Sequence, residues 1–112
     1  MQGKIALEEH FAIPETLNDS AGFVPGTYWD ELQRRLLDIQ DVRLKLMDDN
    51  GIETMILSLN APAVQAIPEH KRAIDVARRA NDVLAEEIAK RPDRFRGFAA
   101  LPLQDPDAAA EE

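Results

Sequence analysis

Apolar positions along this chain alternate between two rhythms, one of strands and one of helices. Residues 4–8 form a short apolar run that ends on Glu8, Glu9 and His10. Residues 54–59, Thr-Met-Ile-Leu-Ser-Leu, form a nearly unbroken one, suited to a strand buried on both faces as in a parallel sheet. Between them, residues 11–27 carry Pro14, Gly22, Pro25 and Gly26 and predict a long loop. From Tyr28 to about Asn50 the spacing becomes helical, with room for two pieces: Leu32, Leu36 and Ile39, then Leu44 and Met47. Gly51 follows as a stop just past the last turn.

Asn60-Ala61-Pro62 closes the second strand, and a second long helix is predicted from about Pro68 to Lys90. Its inward stripe is Ile74, Ala77, Ala80 or Asn81, Leu84 and Ile88, with small alanines that allow close approach to a sheet. Arg72, Arg78, Arg79, Glu86 and Glu87 fall mostly outside that stripe and read as a solvated face. Phe95 to Leu101 predicts a third strand, and Asp105 is a good N-cap for a helix opening at Pro106. The order strand, helix, strand, helix, strand, helix start predicts a parallel α/β layout. Three parallel strands leave open edges and rarely complete a domain, so the expectation is the N-terminal part of a longer α/β protein.

Composition narrows the function classes. Thirteen basic against 21 acidic residues give a formal charge of −8, which argues against a general nucleic-acid or anionic-membrane binder. With no cysteine, neither a disulfide framework nor a thiolate metal site is available. No apolar run approaches the roughly 18 residues of a membrane span, and the opening lacks a signal-peptide layout. A soluble, cytoplasmic protein is the expectation.

The chemistry-bearing candidate is the end of the first strand. If side chains alternate there, Glu8 and His10 share a face and Glu9 points away. A carboxylate oxygen and an imidazole nitrogen on one face make half of a divalent metal site. Taken alone, a short Glu-x-His is more often a polar strand end. His70, at a helix start, reads as exposed, and neither Gln65 nor Trp29 has a positional argument for chemistry.

Several blocks in register change those odds. Ala-Leu-Glu-Glu-His-Phe at 6–11, Arg-Leu-Lys-Leu-Met-Asp at 43–48 with Gly51-Ile52 after it, and Leu-Ser-Leu-Asn-Ala-Pro at 57–62 are the first three. Ala-Arg-Arg-Ala-Asn-Asp at 77–82, Arg-Pro-Asp-Arg-Phe at 91–95 and Phe-Ala-Ala-Leu-Pro-Leu at 98–103 complete the set. Together they resemble the metal-dependent decarboxylase branch of the amidohydrolase superfamily, related to aminocarboxymuconate-semialdehyde decarboxylase. Many superfamily members carry His-x-His at the first strand; the Glu-x-His here is similar to the hydroxybenzoate decarboxylases.

The resemblance implies a (β/α)8 TIM barrel, of which residues 1–112 would form an incomplete domain running from the first strand to the start of the third helix. It implies Glu8 and His10 as ligands of Zn2+ or Mn2+, with a further His and an Asp, the expected proton donor, lying beyond Glu112. No catalytic acid is therefore expected within the chain. It further implies Phe23 as an apolar wall over an aromatic ring and Asn60 as a contact to substrate hydroxyls; ordinary loop packing and a turn before Pro62 are their competing structural roles. The implied reaction is non-oxidative release of CO2 from a 2-hydroxylated benzoate such as 2,6-dihydroxybenzoate, by a homo-oligomeric parent. Two alternatives stand beside it: an amidohydrolase-type hydrolase, and a non-catalytic barrel piece that associates through its open strand edges.

Overall fold

A computed structural model describes residues 3–112. Three parallel strands form one sheet in the order β1 (Lys4–Phe11), β2 (Ile52–Leu59), β3 (Phe95–Gly97). Helices α1 (Gly26–Leu37) and α2 (Val42–Asp49) connect β1 to β2, α3 (His70–Lys90) connects β2 to β3, and α4 (Pro106–Glu111) follows. This is the parallel α/β order that the hydrophobic pattern predicts, and it corresponds to one part of a (β/α)8 barrel. Among the described residues, no helix is long and apolar enough to cross a membrane.

The core lies between one face of the sheet and the helices. Met55 and Leu57 on β2, Phe95 on β3 and Phe11 on β1 are buried there against Met47 of α2 and Ala73, Val76, Ala77, Ala80 and Leu84 of α3. The stripe of α3 is thus rotated slightly from the expected one, with Ile74 and Ile88 only half-buried. On β2 the alternate residues Thr54, Ile56 and Ser58 are half-buried, so only one face of this strand is well covered among the described residues. That differs from a strand buried on both faces.

Two elements change length for visible reasons. β1 runs on to Phe11, because His10 and Phe11 continue the ladder opposite Ser58 and Leu59. β3 stops at Gly97, well short of Leu101. There the Asn81 side chain takes over: its Oδ1 accepts from Ala100 N at 2.7 Å and its Nδ2 donates to Ala100 O at 2.9 Å, lifting the chain off the sheet. The predicted 28–50 helix divides in two, and Gly51 follows α2 at φ 66°, a left-handed geometry suited to glycine. Asp105 caps α4 as expected, accepting from Ala108 N at 3.1 Å.

Close approach of α3 to the sheet depends on Gly97. A Cβ at that position would lie 2.5 Å from Leu84 Cδ2 and 3.2 Å from Ile88 Cδ1. Leu84 is buried and has little room to yield. Gly97→Ala is therefore expected to destabilise the protein by about 1–3 kcal/mol, the usual range for overpacking. The denaturant midpoint measures it, and an unchanged midpoint would show that α3 can shift freely.

Candidate metal centre

The end of β1 is not a regular strand. Ala6 pairs with Met55 and Glu9 with Leu57, so three steps on β1 match two on β2, and a bulge lies between. Glu8 sits in it with φ 59°, left-handed backbone that is rare away from glycine. Strict alternation is lost at this point. Ala6 lies opposite Met55 and His10 opposite Ser58, which belong to opposite faces of β2. The shift separates Ala6 from His10; from Glu8 to His10 exposure still alternates, with Glu8 and His10 exposed and Glu9 half-buried between them.

Exposure resolves the arrangement. Ala6 and Glu9 are half-buried and Phe11 is buried, whereas Ile5, Leu7, Glu8 and His10 are exposed. The bulge leaves two successive residues, Leu7 and Glu8, exposed, and Glu9 is half-buried after them. Glu8 and His10 both line an open groove of about 750 Å³ that also meets Phe23 and Asn60. Among the described residues, no group of three or more His, Asp or Glu side chains is gathered to hold a metal by itself.

His10 is held from two directions. Its Nδ1 lies 3.2 Å from Ser58 Oγ. In the tautomer where Nδ1–H donates to that oxygen, Nε2 keeps its lone pair for a cation. Its carbonyl accepts from Arg43 Nη2 at 2.7 Å. The same guanidinium also donates to Arg35 O at 3.1 Å and, through Nε, to Asp38 O at 3.1 Å. Burial pushes the Arg43 pKa down, against the opposing pull of the Glu9 and Asp38 charges. Glu9 itself is half-buried and lines the groove beside Glu8 and His10.

The other expected residues are placed as follows. Phe23 ends the 3-10 segment Leu17–Phe23, within the expected loop, and is 77% exposed at the groove. Asn60 is buried, and its amide is engaged with Thr16 and Ser20. Both of its N–H groups are spent on those partners, leaving no free donor for a substrate hydroxyl. His70 is the exposed first residue of α3. Residue patterning missed Arg43, Ser58, Thr16 and Ser20. Only Ser58 carried a signal, as the polar interruption of an apolar strand.

Arg43 bridges three backbone carbonyls with a planar fork, which an ammonium cannot match. Arg43→Lys is expected to cost about 1–2 kcal/mol from the bonds lost at partly exposed groups. Chemical denaturation measures it; wild-type stability would show that these bonds contribute nothing.

Comparison with known proteins follows the same lines. No family profile matches the chain. Over all 112 residues it is 93% identical to gamma-resorcylate decarboxylase of Rhodococcus jostii (strain RHA1), and it spans 34% of that protein. A crystal structure of 2,6-dihydroxybenzoate decarboxylase complexed with 2,6-dihydroxybenzoate superposes with a TM-score of 0.98 at 84% identity, over 100% of this chain and 35% of that one. The dihydroxybenzoic acid decarboxylase of Polaromonas sp. JS666, with bound manganese and the inhibitor 2-nitroresorcinol, gives a TM-score of 0.97 at 72% identity, over 99% of this chain and 33% of that one. In sequence along its whole length and in fold, this chain is similar to the gamma-resorcylate decarboxylases, and it spans about a third of their length.

Proposed function

We propose that the protein to which this chain belongs is a divalent-metal-dependent, non-oxidative decarboxylase of 2-hydroxylated benzoates. It converts 2,6-dihydroxybenzoate to resorcinol and CO2, the ring carbon exchanging its carboxylate for a proton. The observation that carries this reading is the 93% identity along the whole chain to a gamma-resorcylate decarboxylase.

Glu8 and His10 are the residues of this chain that would hold the ion. Their donor set of one carboxylate oxygen and one imidazole nitrogen, both exposed at the groove, suits Mn2+ or Zn2+. When bound, the ion supplies a Lewis acid that offsets the negative charge of the carboxylate and neighbouring phenolic oxygen. Phe23 offers an apolar face to the aromatic ring. The reading extends to a cytoplasmic homo-oligomer, supported by the acidic balance and by exposed apolar residues such as Tyr28 and Leu37 on α1.

In the full-length protein, Glu8→Ala and His10→Ala should each lose CO2 release together with bound metal. The fall in metal affinity should exceed the roughly 10–100-fold that loss of an outer-sphere partner costs. Metal content by elemental analysis and CO2 release are measured on the same samples. A full rate from verified metal-free protein would overturn the reading, and ester or amide hydrolysis without CO2 release would favour the hydrolase alternative.

A further inference from the structure

The loop that carries Phe23 has little to hold it in place. Its 3-10 segment, Leu17–Phe23, contains no fully buried residue, with only Leu17, Ser20 and Ala21 half-buried, so apolar packing holds it weakly. What anchors it is a polar cluster on Asn60, at the end of β2. Thr16 Oγ1 donates to Asn60 Oδ1 at 2.8 Å, and Asn60 Nδ2 donates back to Thr16 O at 2.9 Å and to Ser20 Oγ at 2.8 Å. Ser20 Oγ in turn donates to Ala61 O at 3.2 Å, and Asn60 N donates to Phe11 O at 2.9 Å. Asn60 and Thr16 are 2% and 1% exposed, so the inner bonds are shielded from competing water.

We propose that Asn60 is a positioning residue: through Thr16 and Ser20 it ties the Leu17–Phe23 segment to the ends of β1 and β2 and so sets where Phe23 stands over the groove. This rests on the decarboxylase reading for what Phe23 meets there, an aromatic acid. The role differs from direct recognition of substrate hydroxyls, because the two N–H groups of Asn60 are already used. Ser20 is the outer link and only half-buried, which makes it the residue to cut without disturbing the core.

The test uses the full-length enzyme loaded with Mn2+, in the wild type, Ser20→Ala, Phe23→Ala and the double variant, with Thr16→Val and Thr16→Ser beside them. Ser20→Ala and Thr16→Val should each raise KM for 2,6-dihydroxybenzoate about three- to tenfold, the range for one lost hydrogen bond, with kcat and bound manganese unchanged. Thr16→Ser keeps the hydroxyl and should restore wild-type KM. In the Phe23→Ala background, Ser20→Ala should add nothing further, since both act through the same ring.

Hydrogen exchange supplies a readout independent of turnover: amides of residues 17–23 should exchange faster in Ser20→Ala while the rest of the protein keeps its protection. Unchanged exchange in that segment, multiplicative KM effects in the double variant, or loss of manganese would each overturn the proposal. Absence of CO2 release by the wild type would instead sink the decarboxylase reading, and the exchange arm would still decide whether Asn60 anchors the loop.

Discussion

Backbone conformation at one residue governs what the end of β1 can present. In an unbroken strand, His10 would share a face with Ala6 and point into the apolar layer between sheet and helices. The bulge at Leu7 and Glu8 shifts the phase by one residue and delivers His10 to the other side. Holding Glu8 in left-handed backbone costs about 1–2 kcal/mol for a residue with a Cβ. That cost is sustained because the ladder pins the strand on both sides: Ala6 opposite Met55 before the bulge, and Glu9, His10 and Phe11 opposite Leu57, Ser58 and Leu59 after it. Strain of this kind survives where its surroundings over-determine it, and it concentrates at functional positions.

The same economy of polar groups recurs around the sheet. Arg43, Asn60, Asn81 and Arg94 each satisfy backbone carbonyls where regular structure ends. Arg94 donates to Ile52 O and Glu53 O, both at 2.9 Å, at the opposite end of β2 from Asn60. Asn60 and Asn81 use the amide as donor and acceptor together, which an aspartate could not do. The helices lie close to the sheet because Gly97 and the alanines of α3 leave room, while these side chains decide where the strands stop. Packing sets the layers, and polar clamps set the ends on which Glu8, His10 and Phe23 stand.

Much of the layered fold was legible in the sequence, because the period of apolar residues reports burial directly. The division of the 28–50 region, the stop at Gly51, the alanine-lined face of α3 and the Asp105 cap all follow from local rules. Strand ends were less legible. The run past Glu8 to Phe11 and the early end of β3 depend on partners 48 and 19 residues away in sequence, Ser58 and Asn81, and no local pattern encodes such contacts. Glu8 and His10 are legible from residue type and from an alternation in exposure that holds over residues 8–10, but the phase shift that parts them from Ala6 is not. A bulge at a non-glycine residue leaves no mark in a pattern of hydrophobic and polar letters. Asn60 was found for its place at a strand end, but its two donors are committed to the loop, a distinction only three-dimensional partners reveal.

The arrangement also bears on the candidate ligands Glu8 and His10, both exposed at the groove. A ligand on a long, free side chain loses rotamer entropy when it binds, so holding its backbone and ring beforehand lowers that cost. His10 is held at its carbonyl by Arg43 and at Nδ1 by Ser58, neither of which occupies Nε2. Glu8 takes its direction from the bulge itself. Glu9, the neighbouring second carboxylate, is half-buried and also lines the groove. With no cysteine in the chain, soft thiolate chemistry is absent, and carboxylate and imidazole donors are left, a set that suits manganese or zinc better than copper(I) or an iron–sulfur cluster. Arg43 therefore fixes the backbone of one candidate ligand through the His10 carbonyl, while its other donors hold Arg35 O and Asp38 O at the end of α1.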